Sequence, residues 1–242
     1  MKSTVEQIRE RFDKDVERFS NIETGQSATM DAPLCLELVT SAAAVVTPQA
    51  RSVLDIGCGA GNYTLKMLQK MPDLNCMLID LSQPMLDRAL QRVSAATRGE
   101  VRTLQTDIRN AEFPAESFDI VLAAAVLHHL RTDQEWKQTF SAILRWLRPG
   151  GSFWIFDYLE QSLPQVQELM RRRHGEYLSH LKGGGEVGDK YRDSVFAYIQ
   201  AEDTPKPLLW QINLLSEVGF AAAEILHKNG PFAAFGACKA AL

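Results

Sequence analysis

The stretch Val53-Leu54-Asp55-Ile56-Gly57-Cys58-Gly59-Ala60-Gly61-Asn62 decides the fold of this chain. A short apolar segment that carries one acid is followed by three glycines at alternate positions, and an amphipathic segment begins at Asn62. This order predicts a buried strand, a glycine turn and a helix. Because glycine has no Cβ, the turn lets backbone amides approach a ligand closely. Open α/β sheets bind their ligands at such strand ends.

Outward from this stretch, segments of strand and helix character alternate along the chain. The predicted strands are 52–55, 75–80, 100–106, 118–123 and 152–156, and the predicted intervening helices are 62–70, 82–95 and 133–147. After a predicted helix at 208–218, the segments 222–226 and 232–237 are expected to pair as an antiparallel edge. The pattern predicts an α/β fold, a doubly wound and mostly parallel seven-stranded sheet with helices on both faces.

Two helical regions lie outside this alternation, within what we expect to be one domain over residues 1–242. Residues 1–48 are expected to form an N-terminal helical cap, with an amphipathic helix over 3–19 and a second helix from Asp31 to Val46. Residues 159–207 form a polar helical insertion after the fifth strand, interrupted by Gly183-Gly184-Gly185. An insertion at that position is a candidate lid over the ligand site.

Composition excludes several classes of protein. With 45% hydrophobic residues, 23% charged residues and a formal charge of −4, the chain has no general attraction for nucleic acid or an anionic membrane. Its longest apolar run is too short to span a bilayer, and its polar N-terminus does not resemble a signal peptide, so a cytoplasmic location is expected. The four cysteines lie far apart without a C-x-x-C motif, which predicts neither a disulfide framework nor a metal site.

Acids at three successive strand ends indicate the ligand. Asp55, Asp80 and Asp107 each lie at or near the end of a predicted strand, although each alone is equally explained as a turn former or helix cap. A dinucleotide fingerprint would need its third glycine at position 62, where this chain has Asn62. A carboxylate repels a pyrophosphate, suits a cation and accepts hydrogen bonds from ribose hydroxyls. The expected ligand is a cationic adenosine compound without phosphate.

At this point the chain resembles the class I S-adenosylmethionine (SAM)-dependent methyltransferases. The resemblance extends over residues 50–160, with a weaker match at LLSEVGF (214–220). The matching segments, in the order and spacing of that family, are VLDIGCGAGN (53–62), LIDLSQPMLDRA (78–89), LQTDIRNAEF (104–113), FDIVLAAAVLHHL (118–130) and LRPGGSFWIFDY (147–158).

The resemblance implies a Rossmann-like methyltransferase fold, SAM as cofactor and a set of cofactor contacts. In the family's pattern the methionyl part lies against Gly57, Cys58 and Gly59 with Asp55 near its ammonium, the ribose against Asp80 and Leu81, the adenine against Asp107 and Ile108, and the backbone of Ala124 beside the cofactor.

The chain also shows a more distant similarity to the carboxy-SAM synthases of tRNA wobble-uridine modification. Those enzymes typically have a tyrosine in the N-terminal loop where this chain has Gln26, and an asparagine after strand four where it has Ala124. They also use an arginine in the insertion to bind the extra carboxylate, and Arg192 is the only arginine after Arg173. The two departures favour ordinary methyl transfer.

Candidate catalytic residues follow the fourth and fifth strands. His128 and His129 are expected near the transferred methyl group, where an imidazole can act as a general base or simply shape the pocket. Tyr158, at the end of strand five, is a candidate for orienting the acceptor, and Tyr191 for an aromatic wall. Aromatic residues at these positions are also typical of packing.

Three functions are therefore compatible with the sequence. The first is methyl transfer to an oxygen, nitrogen or sulfur atom of a small-molecule acceptor, with no nucleic-acid or membrane partner and with a homodimer left open. The second is an enzyme of the carboxy-SAM type, and the third is a non-catalytic SAM-binding subunit. A nicotinamide dehydrogenase is disfavoured by Asn62.

Overall fold

The computed structural model describes residues 2–21 and 25–241 and contains, within them, a seven-stranded sheet. The strands are β1 (Ser52–Ile56), β2 (Asn75–Asp80), β3 (Val101–Gln105), β4 (Phe118–Ala124), β5 (Leu147–Tyr158), β6 (Ala222–Asn229) and β7 (Phe232–Cys238). Their order is β3-β2-β1-β4-β5-β7-β6; β1 to β5 are parallel, and β7 is antiparallel to both of its neighbours. The predicted fold class and the antiparallel edge are confirmed.

Helices cover both faces of the sheet. They are α1 (Val5–Asp13), α2 (Val16–Ser20), α3 (Ala32–Val46), α4 (Asn62–Leu68), α5 (Gln83–Ser94), α6 (Asp133–Trp146), α7 (Pro164–Leu181), α8 (Gly185–Glu202) and α9 (Leu208–Val218). The helices α3, α4 and α5 pack on one face, and α6 and α9 on the other. None of the helices in the described part of the chain has both the length and the apolar character needed to cross a membrane.

The two faces account for the near-continuous apolar character of the central strands. Successive side chains of a strand point to opposite faces, so Phe153 and Ile155 join the α6–α9 core while Trp154 and Phe156 join the α3–α5 core. All four are buried. A parallel sheet covered on both sides has no solvent face that would select polar residues.

Two sequence-based boundaries are wrong. The single helix expected over 3–19 is two helices, because α1 ends at Asp13, with Lys14 as its C-cap, and α2 starts after Asp15. The fifth strand begins at Leu147, not at residue 152, and continues through the Pro-Gly-Gly segment. This segment stays in the sheet, although Gly150 has a φ of +76°, because the amide of Gly150 and the carbonyl of Gly151 bond the backbone of residues 239–240 beyond β7.

The starts of two further helices, α6 and α3, also differ in detail from expectation. Sequence predicts that Asp133 caps α6, but the cap is Thr132: its side chain accepts from the amide of Glu135, whose side chain accepts from the amide of Thr132. Asp31 does precede α3, but in a left-handed conformation and without a side-chain capping bond.

The strand order reverses between β1 and β4, and this reversal places the site. Beyond the carboxyl ends of these two strands, the glycine turn faces the segment that follows β4. In doubly wound sheets this switch point is where a crevice opens for a ligand.

Candidate active site

A first cavity, which we call the cofactor cavity, opens at this switch point between the glycine turn and the N-terminal helices. Its empty volume, including the mouth, is about 740 Å³. Of the predicted cofactor residues, Gln26, Asp55, Gly57, Cys58, Gly59, Asp80, Leu81 and Ala124 line it. The fold thus brings together predicted cofactor residues that are distant along the chain.

The glycine turn has the backbone geometry of a close-approach loop. Gly57 and Gly59 have φ values of +64° and +51°, a region that residues with a side chain rarely adopt. A Cβ on Gly57 would lie 2.5 Å from Cγ2 of Val126, whereas a Cβ on Gly59 would meet no atom within 4 Å. Gly57 therefore allows the two loops to pack together, and Gly59 keeps the cofactor cavity open.

Asp80 fixes the turn as well as lining the cofactor cavity. Its Oδ2 accepts from the amide of Gly59 and its Oδ1 from the amide of Ser82, both at 2.9 Å. Burial raises the pKa of this carboxyl. Each carboxylate oxygen can accept more than one hydrogen bond, so ribose hydroxyls fit here without displacing the amides.

Asp55 is a buried carboxyl without a cation beside it. It is 1% exposed and accepts a 2.6 Å hydrogen bond from the hydroxyl of Thr64. Burial raises its pKa to about 7. A carboxyl in this condition is stabilised in its charged form by a cationic group placed in the cofactor cavity, and this fits the ammonium of SAM.

A second cavity adjoins the first and is the candidate adenine site. It is lined by Gly57, Asp80 and Leu81 and also by Asp107 and Ile108. Asp107 is engaged with Arg109, whose backbone amide and Nε donate to Oδ1 at 2.9 and 2.8 Å. Burial disfavours the charged Asp107 carboxyl, but Arg109 outweighs it and lowers the pKa. Asp107 is thus a charged acceptor held in one orientation.

The N-terminal helices cover these cavities through a few side-chain contacts. The side-chain amide of Asn62 donates to the carbonyl of Phe19, and the hydroxyl of Ser82 donates to Asp13 at 2.6 Å. Arg88 pairs with Glu17. The apolar rings of Phe12 and Phe19 line the cofactor cavity from the cap side.

A third cavity, the acceptor cavity, lies beyond the cofactor cavity and has an empty volume of about 750 Å³ including its mouth. The two share Phe12, Phe19, Gln26, Ala125 and His129 as lining residues. The remaining lining residues come from the N-terminal cap and the loop after it, from His128 after β4, and from β5, β7 and the helical insertion. The two cavities therefore share one wall.

His128 is held between two carboxyl groups in the acceptor cavity. Its Nδ1 bonds to Oδ1 of Asp157, and its backbone amide donates to Oδ2 of the same residue at 3.1 Å. Its Nε2 lies 3.6 Å from Oδ1 of Asp203. Burial alone would lower the pKa of this ring, but Asp157 and Asp203 raise it to about 9.

His129 is the residue that all three cavities have in common. Its Nδ1 lies 3.6 Å from Oδ1 of Asp203 and has no hydrogen-bond partner. Burial, together with the charges of His128 and Arg11, holds its pKa well below the ordinary value. The ring is therefore neutral and carries a free nitrogen in the acceptor cavity.

Tyr158 also lines the acceptor cavity. It packs against His174 and Phe232 with ring centroids 6.2 and 5.4 Å away. Burial raises its pKa to about 12, so the phenol stays protonated and can only donate or accept a neutral hydrogen bond.

Tyr191 and Arg192, predicted from sequence as acceptor contacts, are not among the residues that line the acceptor cavity. Arg192 instead bonds Asp189 and Asp193 on its own helix at 2.8 and 2.9 Å, and Lys182 lies over the Tyr191 ring. The helix does reach the cavity, but through Tyr198. Tyr191 is seven residues earlier, which is about 10 Å along the helix axis.

Sequence analysis missed several residues of the acceptor cavity, chiefly Arg11, His174 and Asp203. Arg11 lies on the cap and binds both carboxylate oxygens of Glu202, at 2.8 and 2.5 Å. His174 is buried, and its Nε2 bonds the carbonyl of Ala28. Asp203 follows α8 and has no motif around it. Only the burial of charged residues in an otherwise polar insertion distinguishes it, and burial is not visible in a single sequence.

Comparison with known proteins is consistent with this geometry. Residues 53–151 match the family model described as "Methyltransferase domain". The chain is 30% identical over 149 residues to malonyl-[acyl-carrier protein] O-methyltransferase of Paenibacillus sp. (strain JDR-2), with 60% of this chain and 52% of the relative aligned. It is 29% identical over 169 residues to trans-aconitate 2-methyltransferase of Azoarcus sp. (strain BH72), with 70% and 63% aligned.

A solved structure shares the fold. Human N-acetylserotonin methyltransferase in complex with SAM matches with a TM-score of 0.57 and 17% identity, over 89% of this chain and 56% of that one. Residues 53–151 therefore resemble a methyltransferase domain, and the chain shares the fold of that SAM-bound methyltransferase. The chain spans about half the length of the first of the curated relatives.

Proposed function

We propose that this chain is a SAM-dependent methyltransferase that methylates an oxygen, nitrogen or sulfur atom of a small-molecule acceptor. The observation that carries the proposal is the wall shared by the cofactor and acceptor cavities, which contains Ala125 and His129. The acceptor cavity lies under the cap and beside the helical insertion, and this placement suits a small molecule.

Each part of the cofactor has matching residues. Asp55 suits the ammonium, Asp80 the ribose hydroxyls, and the pocket of Asp107 and Ile108 the adenine. When bound, the sulfonium supplies a methyl group that is already activated for displacement. The task of the protein is to align the acceptor atom with the methyl–sulfur bond and to exclude water.

The acceptor's proton is handled at the histidine pair. His129 is neutral and has a free nitrogen, so it is the better placed of the two to accept a proton directly. His128 is charged at neutral pH, and with Asp157 it maintains a positive group beside a developing anion. Tyr158 has a protonated phenol that can orient an acceptor oxygen.

The proposal is tested first by the cofactor and then by turnover. Mass spectrometry of nucleosides extracted from purified protein, followed by calorimetry with SAM and its demethylated product, should show SAM binding. A carboxylated SAM in the extract would instead favour the carboxy-SAM alternative. Absence of binding to either nucleoside would contradict the proposal.

Turnover is measured as production of the demethylated nucleoside with a panel of acceptors. The panel should include phenols, amines and thiols, which offer the three proposed acceptor atoms. It should also include small carboxylic acids, because two relatives are named for methylating malonyl-[acyl-carrier protein] and trans-aconitate. His129→Ala should lower kcat while SAM affinity stays constant. Tight SAM binding without turnover on any acceptor, together with a stable protein complex from cell extract, would favour the non-catalytic alternative.

A further inference from the structure

Three potential metal ligands meet in the acceptor cavity. One ligand atom from each of His128, His129 and Asp203 lies within 4.8 Å of the other two. Oδ1 of Asp203 is 3.6 Å from Nε2 of His128 and from Nδ1 of His129. We propose that His128, His129 and Asp203 bind a divalent cation of the Zn²⁺ or Co²⁺ type, and that this cation coordinates the methyl acceptor.

Two of the three atoms have no other partner. Nδ1 of His129 and Oδ1 of Asp203 are buried and make no hydrogen bond in the described structure. The side chain of Asp203 is 5% exposed. At 3.6 Å the contacts are too long for hydrogen bonds, and a buried polar atom without a partner costs about 1–3 kcal/mol. A shared cation satisfies both atoms at once.

The spacing fits coordination. Two ligands that are each about 2.1 Å from a tetrahedral ion lie about 3.4 Å apart, close to the observed N···O separations. Two imidazoles and one carboxylate are a ligand set typical of zinc and of neighbouring transition metals. Three protein ligands leave a coordination position open, and this is typical of catalytic metal sites.

The carboxylate of Asp157 orients one of the three proposed ligands, His128. Asp157 bonds Nδ1 of His128 and so directs Nε2 toward Asp203. Asp157 is itself held by the backbone amides of His128 and Tyr158, at 3.1 and 2.8 Å. Metal-bound histidines commonly have such a partner on the second ring nitrogen, because it fixes the tautomer and the ring orientation.

Charge pairing alone does not explain the cluster. A protonated His128 would pair with the carboxylates of Asp157 and Asp203. It would not donate a hydrogen bond to Nδ1 of His129, which has no partner. That nitrogen points into the same gap as Oδ1 of Asp203. A cation contacts all three atoms.

The inference rests on the proposed function for its role, although binding itself does not. An acceptor hydroxyl or thiol that occupies the open position loses its proton to solvent, since a divalent cation lowers the pKa of a ligand oxygen or sulfur. Its lone pair then forms the bond to the methyl carbon while the carbon–sulfur bond of the sulfonium breaks and a neutral thioether leaves. In the metal-bound protein the ion displaces the proton from Nε2 of His128, so that this ring is neutral, and the route replaces direct proton transfer to His129.

Metal binding is measured on the full chain after chelator treatment, with Zn²⁺ alone by calorimetry and with Co²⁺ alone by visible absorption. Wild-type protein should bind one ion and give the intense bands of four-coordinate Co²⁺. Asp203→Asn and His129→Ala should each weaken binding at least 100-fold. Asp133→Asn is the matched control, because Asp133 is an exposed carboxylate at the start of α6 and should leave binding unchanged.

The outcomes separate this inference from the proposed function. SAM affinity and circular dichroism are measured on the same samples, so a misfolded variant is recognised. Wild-type protein that binds SAM but neither ion would overturn the metal site and leave the proposed function intact. Equal ion affinity in wild type, Asp203→Asn and His129→Ala would also overturn it. Ion binding without SAM binding would contradict the proposed function alone.

Discussion

The side-chain amide of Asn62 donates a 2.8 Å hydrogen bond to the carbonyl of Phe19, and its side-chain oxygen accepts from Arg92 at 2.9 Å. Asn62 is the first residue of α4, directly after the glycine turn, and Phe19 belongs to the N-terminal cap. The residue that departs from a dinucleotide fingerprint therefore ties the cap to the cofactor loop. A glycine at this position would have no side chain to make this contact.

Asn62→Ala should loosen the cap over the cofactor cavity. Of the two hydrogen bonds that this variant loses, the one to Phe19 holds the cap, and its loss should weaken SAM binding by about 1 kcal/mol, roughly fivefold, and increase proteolysis of the N-terminal segment. Calorimetry and limited proteolysis measure the two effects. Gln69→Ala, on the exposed side after α4, is the control. Unchanged affinity would show that the contact does not support cap closure.

Gly59→Ala should fold but lose much of its affinity for SAM. The added methyl meets no protein atom within 4 Å and so extends into the cofactor cavity, at a φ of +51° that costs about 1 kcal/mol. Gly183→Ala is a matched control, because Gly183 also has positive φ and open space but lies in the lid turn. Both variants should lose similar thermal stability, and only Gly59→Ala should lose binding. Equal SAM affinity in both would place the cofactor elsewhere.

Asp80→Ala should weaken SAM binding by about 1.5–3 kcal/mol, roughly tenfold to 150-fold. Part of this loss comes from ribose contacts and part from the amides of Gly59 and Ser82, which lose their acceptor. Titration with adenosine alone should show a loss as well, because the ribose is present in both ligands. Asp73→Ala, an exposed carboxylate paired with Arg98, is the control. An affinity equal to wild type would refute the ribose role.

The raised pKa of Asp55 predicts that both stability and SAM affinity depend on pH. Its pKa in the folded protein, about 7, is above its ordinary value of 3.8, so the folded state holds a proton that the unfolded state has lost. Ionisation of Asp55 should therefore lower the free energy of unfolding as pH rises from about 4 to 7, with no further change above 7. A bound ammonium favours the charged carboxyl, so SAM affinity should rise over the same window.

This linkage is measurable as proton release. Calorimetry at pH 6.5 in buffers of different ionisation enthalpy should show that wild type releases more protons on binding SAM than Asp55→Asn does. The variant should also have a flatter affinity profile between pH 5 and 7. Identical proton release in both proteins would show that Asp55 does not titrate with binding.

Ala125→Gly should stabilise the protein. Ala125 has a φ of +54° at the end of β4, where its amide bonds the carbonyl of Phe156 at 2.7 Å. An L-residue with a side chain in this region is strained by about 1 kcal/mol, and glycine relieves the strain. Denaturant unfolding should show a gain of up to about 1 kcal/mol. Ala142→Gly, in the middle of α6, should show a loss of similar size. Destabilisation by Ala125→Gly would show that the strain is absent.

The sheet and the cofactor cavity were predictable because their signals are local. Strand periodicity fixed the order of elements, and residues such as Asp55 and Asp80 are at strand ends that any parallel sheet brings to one edge. The error at β5 has a tertiary cause, since its first residues stay in the sheet by bonding the chain beyond β7. Local glycine and proline signals cannot report such a distant partner.

The acceptor cavity was less accessible to sequence reasoning. His128 and Asp203 lie 3.6 Å apart in space, but they are separated along the chain by α6, β5 and the whole helical insertion. Arg11 reaches the same region from the cap. The histidine pair was predicted because it follows β4, whereas its third partner has no local signature. The prediction that the chain lacks a metal site rested on cysteine spacing, and it stays a prediction that the proposed ion-binding experiment will test.

The cap contacts of Phe19, Asp13 and Glu17 have a kinetic consequence. We expect a nucleoside seated beneath them to exchange only after these contacts open, so that opening precedes each departure of spent nucleoside. We expect this opening, and not the methyl-transfer step, to limit the rate of steady-state turnover. A rapid first turnover followed by a slower phase that responds to solvent viscosity would reveal it; a linear, viscosity-independent time course would argue against it.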